Sequence, residues 1–209
     1  MNKLFAGFGK KKELKAPIIV VSGLPRSGTS MMMKILSEGG LSAVTDHERI
    51  ADDDNPQGYF ELEVVKQMAA GNVDWLANAG GKVVKVISAL LEHLPSEYTY
   101  KVIFMEREIQ EILASQRKML ERRNKQSQID DAEMEAQFRK HLSVVKPWLA
   151  RQPNMDVIYV SYNSLMNDPK PLCHRLLDFI GRELDLARML AVPSKELYRN
   201  RTSTGQASS

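Results

Sequence analysis

Residues 23–30 read Gly-Leu-Pro-Arg-Ser-Gly-Thr-Ser, with two glycines separated by four residues, which is the spacing of a loop that wraps phosphate groups. The chemistry on offer is anion binding. At the start of a helix the backbone N–H groups lack intrahelical partners and the helix dipole favours negative charge. A triphosphate-using loop of this kind carries Lys after its second glycine, to reach the terminal phosphates, and then a hydroxyl that helps to hold magnesium. Here Thr29 stands at the lysine position. Glu106 is the acid at a strand end that magnesium would need, and Arg107 beside it opposes a cation. The residues therefore point to a phosphorylated ligand bound without a metal. The alternative is a plain strand-to-helix turn with chance glycines.

The elements that must position this loop are legible on either side of it. Ile18-Ile19-Val20-Val21 is a short, β-branched, wholly apolar run, as expected of a strand buried on both faces of a parallel sheet. After the loop, Met32, Ile35 and Leu36 recur at helical spacing until Gly39-Gly40, a helix stop. A polar, Asp-rich stretch from Thr45 to Gln57 reads as a surface loop leading to a helix that starts near Glu61. Strands are predicted at Val83 to Ile87, Tyr100 to Met105 and Val157 to Val160. Helices are predicted from Ile109 to Arg123, Asp131 to Leu149, Pro171 to Ile180 and Leu184 to Leu190. Strands alternating with helices imply an α/β fold of three layers, a central parallel sheet covered by helices on both faces.

One domain of residues 16–201 is expected, preceded by a flexible Gly- and Lys-rich leader of residues 1–15 and followed by a disordered Ser/Thr-rich tail of residues 202–209. No apolar run approaches the roughly 18 residues of a membrane span, and the apolar stretch near the start is too short for a signal peptide, so a soluble, cytoplasmic protein is expected. The formal net charge of +3 is small and the two signs are interspersed, which argues against a nucleic-acid partner. The cluster Arg117-Lys118 and Arg122-Arg123 reads as a solvated helix face, and Cys173, the single cysteine, as core.

Pro25-Arg26-Ser27-Gly28-Thr29-Ser30 resembles the 5'-phosphosulfate-binding loop of sulfotransferases that use 3'-phosphoadenosine 5'-phosphosulfate (PAPS), in the small bacterial form of that family. The resemblance runs in order through Asn55 to Glu61, the Lys85 strand, Arg107 with Ser115, Tyr162 to Leu165 before Asp168-Pro169, and Pro193 to Arg201. It implies a P-loop α/β fold, PAPS as donor substrate with 3'-phosphoadenosine 5'-phosphate as product, and no metal. It also implies that Arg26, Ser27, Gly28, Thr29 and Ser30 cradle the donor, that Arg107 and Ser115 grip its 3'-phosphate, and that Tyr162 contacts adenine. The family's C-terminal phosphate loop is absent, and Arg199 or Arg201 is the candidate to replace it. Taken alone, Ser115 reads as an ordinary helix serine and Tyr162 equally as a core residue with a satisfied hydroxyl.

Sulfuryl transfer is an in-line displacement, so positioning and charge stabilisation dominate its catalysis. Two protein cations suffice in place of magnesium: Arg26 in the loop, and Lys85 near a strand end, where ligands of parallel sheets gather. A strand lysine that only snorkels to solvent is an equal reading of Lys85 alone. The acceptor, a small molecule, carbohydrate or lipid carrying a hydroxyl or amine, must lose a proton to a general base. Glu61, at a helix start after Gly58-Tyr59-Phe60, is the first choice, against the alternative that it only complements the helix N-terminus. His47, flanked by Asp46 and Glu48, is the rival. Two other classes stay open: a P-loop nucleotide phosphotransferase, and a catalytically silent module that binds 3'-phosphoadenosine nucleotides.

Overall fold

The computed structural model describes residues 16–46, 60, 62–125, 127 and 129–193. Among the described residues four parallel strands form the sheet: β1 (Ile18–Gly23), β2 (Val83–Lys85), β3 (Tyr100–Glu106) and β4 (Met155–Ser161), in the order β2-β1-β3-β4. Residue pairing runs Ile19 with Val83, Ile18 with Tyr100 and Tyr100 with Met155. Every residue of β1 is buried, as a central strand with helices on both faces requires.

Alternate residues of the strands feed two separate cores. Ile19, Val21, Ile103, Met105 and Val160 face one side, packed by α1 (Thr29–Glu38), α4 (Tyr162–Asn167), α5 (Pro169–Ile180) and α6 (Leu186–Ala191). Ile18, Val20, Val102 and Phe104 face the other, against α3 (Asp131–Leu149) and the 3-10 helices Glu63–Ala70, Asp74–Asn78 and Ser88–His93. The period of two sends successive side chains to opposite layers. α2 (Ile109–Arg122) follows β3 and packs on α3.

Local chemistry fixes the element ends. Gly39 caps α1, and Gly40 takes φ 104 to turn the chain away. The Asp130 side chain accepts from the backbone N–H of Glu133 at 2.7 Å to start α3. Lys101 Nζ donates to the carbonyls of Phe179 at 2.6 Å and Ile180 at 3.2 Å, so a lysine of β3 satisfies the end of α5.

Several expected elements differ in their bounds; α5 starts at Pro169 rather than Pro171, and α6 spans Leu186–Ala191 rather than Leu184 to Leu190. β2 stops at Lys85 rather than Ile87, because the Val86 N–H makes its last bond to Val21 O and the exposed Ile87 then leads into a 3-10 helix. The helix expected near Glu61 is a 3-10 helix, Glu63–Ala70, whose first N–H meets Asp46 Oδ2 at 2.6 Å and which Gly71 ends at φ 86. The strand expected at Val157 to Val160 extends to Met155–Ser161, because its backbone pairs with the whole of β3. Most of the Asp-rich stretch from Thr45 to Gln57 lies outside the described residues. No helix of the described residues is long and apolar enough to cross a membrane.

Candidate donor site

The loop between β1 and α1 is built on three residues with positive φ: Gly23 at 144°, Arg26 at 66° and Gly28 at 101°. Gly23 is required by space as well as by its backbone. A β-carbon there would lie 2.6 Å from Ser27 Oγ and 2.7 Å from Met105 O. Ser27 braces the loop from inside, donating from its hydroxyl to Leu24 O at 2.7 Å and from its backbone N–H to the same oxygen at 3.2 Å. Thr29 and Ser30 open α1, where the first-turn N–H groups lie beyond the reach of intrahelical bonding.

Two cations approach this turn from opposite sides. Lys85, at the end of β2, donates to Ser30 Oγ at 3.4 Å. On the other side of β1, Arg26 Nε donates to Ser115 Oγ at 3.0 Å. Ser115 is 5% exposed on α2, and Arg107, at the end of β3, donates from Nη1 to Arg26 O at 3.2 Å. Arg107 Nε also meets Glu111 Oε2 at 2.9 Å, with side chains 7% and 1% exposed. Glu111 Oε1 in turn accepts from Asn163 at 3.0 Å. The Arg107 guanidinium lies 4.1 Å from the centre of the Tyr162 ring, a cation–π contact with a buried aromatic face.

Beside this cluster, at the C-terminal ends of β1, β3 and β4, lies a cavity of about 360 Å³, within the range of small-molecule sites; Arg26, Ser30, Lys85, Ser115 and Tyr162 are not among its lining residues. Leu24, Ser27, Arg107, Asn163 and, from α3, Arg139 and Lys146 contribute to its wall. Glu106, the strand-end acid, is paired with Lys146 at 2.5 Å.

The fold thus brings together Arg26, Ser27, Gly28, Thr29, Ser30, Lys85, Arg107, Ser115 and Tyr162 from four elements and two connecting segments. Glu61, His47, Arg199 and Arg201 lie outside the described residues. Sequence reasoning missed Glu111, Asn163 and Lys146. Glu111 carries a readable signal, a carboxylate four residues after Arg107. Cys173 is fully buried and burial pushes its thiol up to about 11, in keeping with a core residue. Arg117 and Lys118 are exposed on α2, and Arg117 pairs with Asp131.

Comparison with known proteins agrees with this architecture. A family model described as "Sulfotransferase domain" matches residues 16–206. No curated protein sequence matches significantly. Among solved structures, the sulfotransferase STF1 of Mycobacterium tuberculosis H37Rv is 16% identical with a TM-score of 0.55, over 88% of this chain and 72% of that one. The sulfotransferase domain of the Synechococcus PCC 7002 olefin synthase is 17% identical with a TM-score of 0.50, over 89% and 83%. Mouse sulfotransferase SULT7A1 complexed with PAP is 13% identical with a TM-score of 0.50, over 90% and 67%. At such identities the likeness is one of fold.

Proposed function

Because the chain belongs to the sulfotransferase domain family, we propose that it moves a sulfuryl group from PAPS to a hydroxyl or amine of a small-molecule, carbohydrate or lipid acceptor. The observation that carries this reading is the pair of cationic flanks of the loop: Lys85 at Ser30 on one side, and on the other Arg107 at the Arg26 carbonyl with the Arg26 side chain at Ser115. Cations on both flanks suit a donor with charge at both ends of a nucleoside. The mouse relative was solved with PAP, the product such a donor would leave.

The acceptor oxygen or nitrogen attacks sulfur in line, and the bond from sulfur to the bridging phosphate oxygen breaks. The acceptor proton passes to a general base, for which Glu61 is the proposed residue and His47 the rival. Lys85 and the first-turn N–H groups of α1 stabilise charge on the sulfonate and the departing oxygen, the work a magnesium ion does at a lysine-bearing loop. Thr29 at the lysine position is why no metal is invoked. Arg199 and Arg201 are proposed as further phosphate contacts.

Calorimetry tests the donor. Adenosine 3',5'-bisphosphate should bind at least about 10-fold tighter than AMP, the scale of one charge-assisted hydrogen bond, with no dependence on magnesium. Equal binding of the two would overturn the reading. Labelled PAPS offered to pools of carbohydrates, lipids and small molecules then identifies the acceptor.

A further inference from the structure

Asp46 and Glu63 are remote in the chain and joined by one hydrogen bond, in which the Glu63 N–H donates to Asp46 Oδ2 at 2.6 Å. We propose that Asp46 is a positioning residue for the transfer reaction. Through this bond it fastens the segment from Phe60 to Glu63 to the outer edge of β2, beside Lys85, and so fixes the part of the chain that carries the proposed base. The inference rests on the base reading above and adds a residue to it.

The edge of the sheet sets the level. The chain at 42–44 runs parallel to β2 on its outer side: Val44 N–H donates to Val83 O at 2.8 Å, Val83 N–H donates to Ser42 O at 3.0 Å, and Ala43 is level with Val83. Lys85 follows Val83, and Asp46 follows Ala43, in the same direction. At about 3.3 Å per residue both reach the C-terminal edge of the sheet. That is the edge from which the phosphate loop springs after β1. A carboxylate there holds what lies next to Lys85, which in turn donates to Ser30 Oγ at 3.4 Å.

What it holds is a strained turn. Phe60 has φ 48°, left-handed and unfavourable for a bulky aromatic residue. The reason is topological. Phe60 and Ala43 pack against the core on the α1 side of the sheet, whereas Leu62 and Val44 pack against the opposite core. Residues two apart in an extended chain share a face, so the chain has to turn between these anchors, and it turns at Phe60. Such an outlier persists only where its surroundings over-determine it. Glu61, the proposed base, is the residue between the two anchors in sequence.

The apolar anchors choose a layer for each side chain, but burial is non-directional and does not fix how far along β2 the segment sits. A charge-assisted hydrogen bond is directional, and the one from the Glu63 N–H sets that position. The same N–H opens the 3-10 helix Glu63–Ala70, where the first donors of a helix lie outside its own bonding.

Labelled PAPS, with the acceptor pool in which the wild-type full chain makes product, tests the role. Asp46→Ala should lower turnover about 10- to 100-fold, the scale of a small misplacement of a reacting group. Affinity for adenosine 3',5'-bisphosphate, read by calorimetry, should not change. Asp46→Asn keeps an oxygen to accept the bond and should restore most of the turnover. Because Asp46 acts through position 61, Asp46→Ala combined with Glu61→Gln should lose no more than Glu61→Gln alone. Unchanged turnover in Asp46→Ala, losses that multiply in the double variant, or a parallel loss of donor affinity would each overturn the inference and leave the base reading standing. Full turnover in Glu61→Gln, or a wild-type chain that makes no product in any pool, would overturn the reading beneath the inference and the inference with it.

Discussion

Gly28 and Tyr162 are packed so closely that a β-carbon at position 28 would fall on Tyr162 Cδ2. The same ring carries the Arg107 guanidinium, so the start of α1, the aromatic and the buried cation form one stack. Gly28→Ala should therefore destabilise the protein by about 1 to 3 kcal/mol, from overpacking and a φ of 101° together. It should also weaken nucleotide binding, since Arg107 moves with the ring. Urea unfolding and calorimetry check both, and Tyr162→Ala in the same chain should restore part of the lost stability.

Lys85 is expected to act on the reaction more than on donor affinity. Lys85→Met keeps the apolar stem along β2 and removes the ammonium that reaches Ser30. Turnover should fall by about 10²-fold, the scale for removing one transition-state donor, while bisphosphate affinity changes by less than about twofold. A matching loss in affinity would make Lys85 a ground-state binder.

For the proton, Glu61→Gln should preserve donor affinity and lower turnover by roughly 10²-fold or more, the usual scale for losing a general base. His47→Ala should do much less. The reverse pattern, with donor binding intact in both, would hand the role to His47.

His141 makes stability depend on pH. Its Nε2 lies 2.9 Å from Ser88 Oγ, and burial holds the imidazole below its usual value of 6.5, against a smaller upward pull from Glu92. The unfolded chain takes up a proton near that value while the folded chain resists it. The contribution is therefore complete above pH 6.5 and is lost as pH falls toward the lowered folded value. Urea midpoints measured from pH 7.5 down to 5 should decline in the wild type, and His141→Gln should flatten that part of the decline.

The fold was largely legible because its signals are local. Ile18 to Val21 is apolar on both faces, which only a sheet covered twice requires, and the bounds of α3 coincide with the periodicity from Asp131 to Leu149. Lys85 was readable as a strand-end cation because residue type and position coincide. The turn after it was not, because Val86 and Ile87 are as β-prone as the strand itself and only hydrogen bonding to Val21 decides where pairing stops. The contact between Arg26 and Ser115 joins residues remote in the chain, and no spacing announces it. Asn163 likewise gains its meaning from a carboxylate on another helix.

The placement of β1 at the middle of the sheet has a consequence for how the chain reaches its structure. During synthesis β1 and its loop emerge well before either neighbour, since pairing awaits Val83–Lys85 on one side and Tyr100–Glu106 on the other. Gly28 waits longer still for Tyr162, which comes after β4. Each of these closures costs loop entropy before any contact offsets it, which slows folding. Until then the run Ile18 to Val21 is an exposed apolar segment, the kind of surface that promotes association of unfolded chains.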